Sequence, residues 1–268
     1  MARVELVIGS TNTHKVEEIR RMLASIPSLG VVPFPDSQAM GSIEEDGKTF
    51  AENAGKKAAI YAKYLYAWRG ASASGRHTAA GTDDTGVIDK EAANLAREEA
   101  RGLFGLDRQG TFGSRVINHD SHRLRASDVL VLADDSGIVV DALGGAPGIH
   151  SARYSGVHGD DAANNAKLLD AMRNVPDKKR NARFVCAIAL ATQNGVVFTV
   201  EGKVEGRIAR ELKGKRGFGY DPLFYYPPFN ATFGEVEAVA KDSVSHRSNA
   251  LKLFKSRLMR LLTQEGLA

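Results

Sequence analysis

VELVI at Val4–Ile8 is apolar at every position but Glu5, over a length that suits a strand better than a helix. Val16, Ile19, Leu23 and Ile26 then recur at helical spacing and predict a helix over 16–26. A second helix is predicted from Thr49, spaced from Glu52 as in a capping box, to about Trp68. Its apolar stripe is Phe50, Ala54, Ala58, Tyr61, Leu65 and Trp68. Further on, strands are predicted over 129–133 and 138–140, separated by a tight turn at Ser136 and Gly137. A helix near Asp161–Met172 follows, then strands over 184–191, 196–200 and 203–209 with an Asn194-Gly195 turn between the first two. The last helix runs from about Ser245 to Leu262, with Leu251, Phe254, Leu258 and Leu261 on one face. Interleaved strands and helices indicate an α/β fold, and the hairpin at Asn194 implies a mixed sheet.

Residues 70–127 break this pattern. They open with GASASGRHTAAGTDDTG, offer one helix candidate around Asp89–Leu103, and carry eight Lys/Arg against eight Asp/Glu. The stretch is therefore electrically neutral and reads as an insertion in a single domain spanning 1–268. DDTG at 83–86 echoes DDSG at 134–137, but no apolar strand precedes it, so it is set aside.

An apolar content of 43% over 268 residues supports a sizeable core. The lone cysteine, Cys186, lies inside the apolar run RFVCAIALA, which excludes an intramolecular disulfide and makes a reducing cytoplasm the simplest compartment. No apolar stretch reaches the roughly 18 residues of a membrane span. The net charge of +4 suits a polyanionic ligand but is too small and dispersed for a nucleic-acid polymer. Small phosphorylated molecules are the expected partners.

Several segments carry candidate chemistry. VLVLADDSG drives an apolar strand into Asp134 and Asp135, which is costly unless something cationic meets them. Strand residues alternate faces, so the two aspartates are not expected to ligate one metal together. One aspartate plus a glutamate from another loop fits Mg²⁺ better, although for Glu44-Glu45-Asp46 a solvated acidic cluster is the usual explanation. No His/Cys grouping suggests zinc. GSTNTHK supplies hydroxyls and backbone N–H groups at a helix start, where Lys15 sits at the end that disfavours cations unless an anion joins it. Lys57 lies at the edge of the second helix's apolar stripe, one turn after Asn53, with Lys56 pointing to solvent. RGFGYDPLF sets Phe218 and Tyr220 between glycines for ring stacking, and AKDSVSHRSNA places Lys241, His246 and Arg247 just before or within the first turn of the last helix. Each segment alone is equally readable as structural.

STNTHK, EEDGKTFAENAGKKA, LADDSGIVVDALGGAPGIHSARYSG, GFGYDPLF and KDSVSHRSNALK stand in an order that resembles the inosine triphosphatase family, the XTP/dITP diphosphatases. The resemblance covers the chain except 70–127. It implies a mixed twisted sheet with flanking helices, forming two lobes around a central nucleotide cleft. It also implies a Mg²⁺-dependent homodimer that hydrolyses XTP, ITP or dITP to the monophosphate and pyrophosphate. By motif, Ser10, Thr11, Asn12, Thr13, His14 and Lys15 would hold phosphates. Glu45 and Asp135 would be the metal carboxylates, with Asp135 also the general base. Ser136, Lys57 and Lys241 would contact the nucleotide, and Phe218, Gly219, Tyr220 and Asp221 with His246 and Arg247 would form the base pocket. Two alternatives remain: a septum-associated type of modified-nucleotide pyrophosphatase, and a non-catalytic nucleotide sensor or RNA-binding module.

Overall fold

A computed structural model describes residues 4–26, 28–35, 43–73, 124–125 and 127–267. The helix expected at 89–103, the DDTG echo at 83–86 and nearly all of the insertion lie outside the described residues.

Seven strands form one sheet in the order β2-β1-β3-β4-β5-β6-β7. They are β1 (Val4–Ile8), β2 (Leu29–Pro33), β3 (Leu130–Val140), β4 (Asn181–Thr192), β5 (Gly195–Ile208), β6 (Phe224–Tyr226) and β7 (Ala231–Thr232). β1 is parallel to both β2 and β3, and every later pairing is antiparallel, so the sheet is mixed as the hairpin implied. Among the described residues five α-helices accompany it: α1 (Thr13–Leu23), α2 (Phe50–Ala73), α3 (Asp161–Ala171), α4 (Ala238–Val244) and α5 (His246–Gln264). Among the described residues no helix is long and apolar enough to cross a membrane.

Helices cover both faces of the long strands. On one face the α2 residues Ala54, Ala58, Tyr61 and Leu65 pack on Val131, Ala133, Ala187 and Ala189. On the other, Ile19 and Leu23 of α1 and Leu251, Phe254 and Leu258 of α5 pack on Leu130, Leu132, Cys186 and Ile188. A third core, with Ile138, Val140, Leu168, Phe184 and Phe224, fills the far end of the same strands.

Several sequence expectations need correcting. There is no turn at Ser136 and Gly137: β3 is one strand of 11 residues, paired with β4 without a break from Val131 to Val140. Gly137 is instead demanded by close packing, because a Cβ there would meet Ser151 Oγ at 2.4 Å and the Gly148 carbonyl at 2.6 Å. Strands 196–200 and 203–209 likewise merge into β5. α1 begins three residues early, capped by Asn12, whose side chain accepts the Lys15 N–H at 3.2 Å. β2, β6, β7 and α4 were not expected, being too short to show a period.

Candidate active site

The alternation of β3 places the two aspartates. Leu130 and Leu132 face α1 and α5, and Asp134 continues that row; Val131 and Ala133 face α2, and Asp135 continues theirs. Both carboxylates are buried in the wall of one cavity of about 620 Å³.

Asp134 is held by cations. Its Oδ2 lies 3.0 Å from Lys15 Nζ and 3.3 Å from Arg247 Nη2. Burial pushes its pKa up, but Lys15, Arg247 and Lys57 overcome this and hold the carboxyl well below the usual range. Arg247 also donates to Glu18 and, at 3.0 Å, to Ser136 Oγ. Lys241 donates to Asp221 at 2.6 Å and to Glu18 at 3.4 Å. Burial also works against the charge on Glu18, and the two cations reverse it, leaving its pKa lowered. The ion pairs thus answer the helix-end conflict at Lys15 and Arg247. Lys241 lies just before the last helix, as expected, on the short helix α4, and Ser245 caps α5 by accepting the Ser248 N–H at 3.1 Å.

A glycine-rich loop closes this side. Gly217 and Gly219 adopt φ of +73° and +60°, and a Cβ on Gly217 would lie 2.0 Å from Asp221 Oδ2, so this loop tolerates only glycine there. The loop is pinned from α3: the Gly219 N–H donates to Asp161 Oδ2 at 2.6 Å, and Asn165 Nδ2 donates to the Gly219 carbonyl at 2.8 Å. Tyr220 is buried with its hydroxyl donating to the Ser151 carbonyl at 2.8 Å, which leaves Phe218 as the available ring. Lys241 Nζ lies 4.8 Å and Arg247 Cζ 5.7 Å from the Phe218 centroid, and His14 stacks on it at 5.6 Å. His246 stacks on Phe184 at 4.7 Å. Three buried polar atoms here, Asp134 Oδ1, His246 Nδ1 and Arg247 Nε, have no hydrogen-bond partner among the described residues. Unpaired buried groups of this kind favour a polar ligand.

The Asp135 side differs. Asn53 Nδ2 donates to Asp135 Oδ2 at 3.0 Å, and the Ser136 N–H donates to Oδ1, also at 3.0 Å. Lys57 Nζ lies 2.6 Å from Glu45 Oε1 and 3.5 Å from Asp135 Oδ1. Arg153 reaches Glu45 twice, at 3.3 Å to Oε2 and 3.0 Å to the backbone carbonyl. Burial raises the Asp135 pKa; Lys57 opposes, the neighbouring Glu45 charge adds, and the net direction is upward. Lys57 is itself raised, because Asp135 and Glu45 outweigh its burial.

Nearly every residue expected at the site lines this cavity: Ser10, Thr11, Asn12, Lys15, Glu45, Lys57, Asp135, Ser136, Phe218 through Asp221, Lys241, His246 and Arg247. Thr13 and His14 do not line it, and His14 stacks on Phe218. Lys56 does not point freely to solvent; its side chain is 12% exposed and pairs with Asp46 at 2.6 Å. Sequence reasoning missed Glu18, Arg153 and Asp161 as parts of the site. Glu18 had a signal, lying one turn after Lys15 on the same flank of α1; Arg153 and Asp161 had none, since only the fold brings them across.

The wall carries five Lys/Arg side chains (Lys15, Lys57, Arg153, Lys241, Arg247) and seven carboxylates (Glu44, Glu45, Asp46, Asp134, Asp135, Asp161, Asp221). Among the described residues no group of three His, Cys, Asp or Glu is arranged to hold a metal. The two carboxylates sharing Lys57, Glu45 and Asp135, nevertheless fit a hard divalent cation that takes its remaining ligands from water and phosphate. A polyphosphate entering a wall with excess negative charge also calls for such a cation.

Fold and cleft together define a mixed-sheet α/β protein that presents paired carboxylates and clustered cations to a ligand from one cavity. The chain belongs to the Ham1 family, whose profile matches residues 6–93 and 105–257. It is 36% identical over 258 residues to a dITP/XTP pyrophosphatase of Clostridium perfringens, covering 96% of this chain and 98% of that one. A dITP/XTP pyrophosphatase of Desulforamulus reducens is 39% identical over 258 residues, covering 96% and 97%. Among solved structures, a HAM1 protein from Coxiella burnetii matches with a TM-score of 0.64 at 30% identity, covering 96% of this chain and 99% of that one.

Proposed function

We propose that this protein hydrolyses deaminated purine nucleoside triphosphates, XTP, ITP and dITP, to the monophosphate and pyrophosphate. The observation that carries the reading is the pair Asp134 and Asp135: adjacent in sequence and facing opposite ways in one cavity, the first held by Lys15 and Arg247, the second beside Lys57 and Glu45. Paired groups set in such different surroundings mark a division of roles. Asp135 accepts the proton of the water that attacks the α-phosphorus. Asp134 stays charged and fixes Lys15 and Arg247. Lys15 and Lys57, with the Ser10–Asn12 loop, meet the phosphates and the charge on departing pyrophosphate.

Glu45 and Asp135 would hold Mg²⁺, which when bound neutralises phosphate charge and makes a bound water more acidic. The metal's identity rests on the oxygen-only donor set. Phe218 stacks the base, and Arg247 with His246 supplies polar groups toward its edge. An oxygen at C6 of hypoxanthine or xanthine accepts from such donors; the amino group of adenine does not, and a mismatch of this kind discriminates by up to roughly 10⁴-fold. A homodimer and a cytoplasmic location belong to the same reading, supported by the family resemblance and the single buried cysteine; light scattering tests the dimer.

The deciding experiment is pyrophosphate release from ITP, XTP, dITP, GTP and ATP with Mg²⁺, and with EDTA as control. Metal-dependent release confined to the deaminated purines is expected. Nucleotide binding with no release from any of them would favour the sensor alternative.

A further inference from the structure

We infer that Asn53 is a positioning residue that ties the Glu45 loop to the catalytic carboxylate, so that the base is aligned only while that loop is docked. This rests on the proposed reaction. Asn53 is wholly buried at the start of α2 and touches both partners with one amide. Its Oδ1 accepts the Gly47 N–H at 2.8 Å, and its Nδ2 donates to Asp135 Oδ2 at 3.0 Å.

Chemistry fixes which way the amide faces. A backbone N–H can only donate, so the loop claims the oxygen of Asn53 and leaves its NH₂ for Asp135. Asp135 Oδ2 is thereby committed as an acceptor, and Oδ1 is the oxygen left toward Lys57 and Glu45. Should the loop leave, Asn53 loses the contact that sets its orientation. Gly47 is fitted to this approach: a Cβ there would meet Asn53 Oδ1 at 2.6 Å and Glu52 Cβ at 2.9 Å. The start of α2 holds Asn53 in place as well, since Thr49 Oγ1 accepts the Glu52 N–H at 3.1 Å and Glu52 Oε2 accepts the Lys48 N–H at 2.6 Å. Lys57 and Arg153 then reach Glu45 on the loop that Gly47 docks.

Two variants test this from opposite ends of the hydrogen bond: Asn53→Ser, which removes the amide, and Gly47→Ala, which pushes the loop off it. Neither residue is placed on the substrate, so kcat for ITP should fall by about 10- to 100-fold while KM changes less than about threefold. Mn²⁺ binding, followed by electron paramagnetic resonance on the full chain without nucleotide, should weaken by a similar factor in both. Because they break one contact, the double variant should be no worse than the poorer single variant. Should Asn53→Ser fail to fold, Gly47→Ala in the half-buried loop carries the test alone. Wild-type-like kcat and Mn²⁺ affinity in Gly47→Ala, or fully additive losses in the double variant, would overturn the inference. If the wild-type protein releases no pyrophosphate, the proposed reaction fails, and Mn²⁺ binding still decides whether the tether exists.

Discussion

Asp134 and Asp135 share a strand, a burial class and a cavity, yet their surroundings could hardly differ more. On one face Asp134 meets two cations at salt-bridge distance and gains more from them than burial removes. On the other, Asp135 shares one lysine with Glu45 and keeps part of its burial penalty, so its affinity for a proton rises. A one-residue step along a strand reverses the side chain and with it the electrostatic environment. Sequence adjacency therefore says little about role; the opposing face says nearly everything.

The largest effect expected from this contrast is on turnover. Asp135→Asn should lower ITP hydrolysis by about 10³-fold, within the range of general-base loss, while calorimetric binding of inosine monophosphate persists. Near-normal turnover would remove Asp135 from its assigned role. The same substitution at Asp134 should act on stability, because Lys15 and Arg247 lose a buried partner. A loss of about 3 kcal/mol is expected for Asp134→Asn from urea unfolding, against little or none for Asp135→Asn. Equal losses in both would dissolve the comparison.

His246 sharpens it through pH. Burial, with Arg247 and Lys241 adding to it and Asp134 opposing, holds its pKa well below 6.5, so it is neutral in the fold and charges more readily when unfolded. Its contribution is complete above about pH 6.5 and is lost as pH falls from there toward the folded value, by at most about 1.4 kcal/mol per pH unit. His246→Asn should flatten that part of the stability curve between pH 7.5 and 5; an unchanged slope would show that another group sets it. The smallest effect is expected far from the cleft, where Arg173 pairs with Asp170 on an exposed helix end. Arg173→Ala should leave melting temperature and turnover within error.

Long, periodic features of the fold were legible in the sequence: the α2 stripe from Phe50 to Leu65 packs as read, and so does the α5 face through Phe254 and Leu258. Short elements were not. β6, β7 and α4 span only a few residues, and their placement depends on what they pair with. The DDSG stretch misled because glycine has two uses, turning and close packing, and Gly137 serves the second. The site residues were legible because their motifs are contiguous. Arg153 escaped notice because it acquires meaning only from Glu45, more than a hundred residues away, whereas Glu18 had its place one turn after Lys15 to mark it.

The unbroken course of β3 has a mechanical consequence. Its first half is clamped between the cores on either face of the sheet and its second half enters the third, so Asp134 to Gly137 occupy the stretch of beam between two supports. Asp135 therefore projects into the cavity from a stretch of backbone braced at both ends, which fixes the height of its carboxylate in the wall.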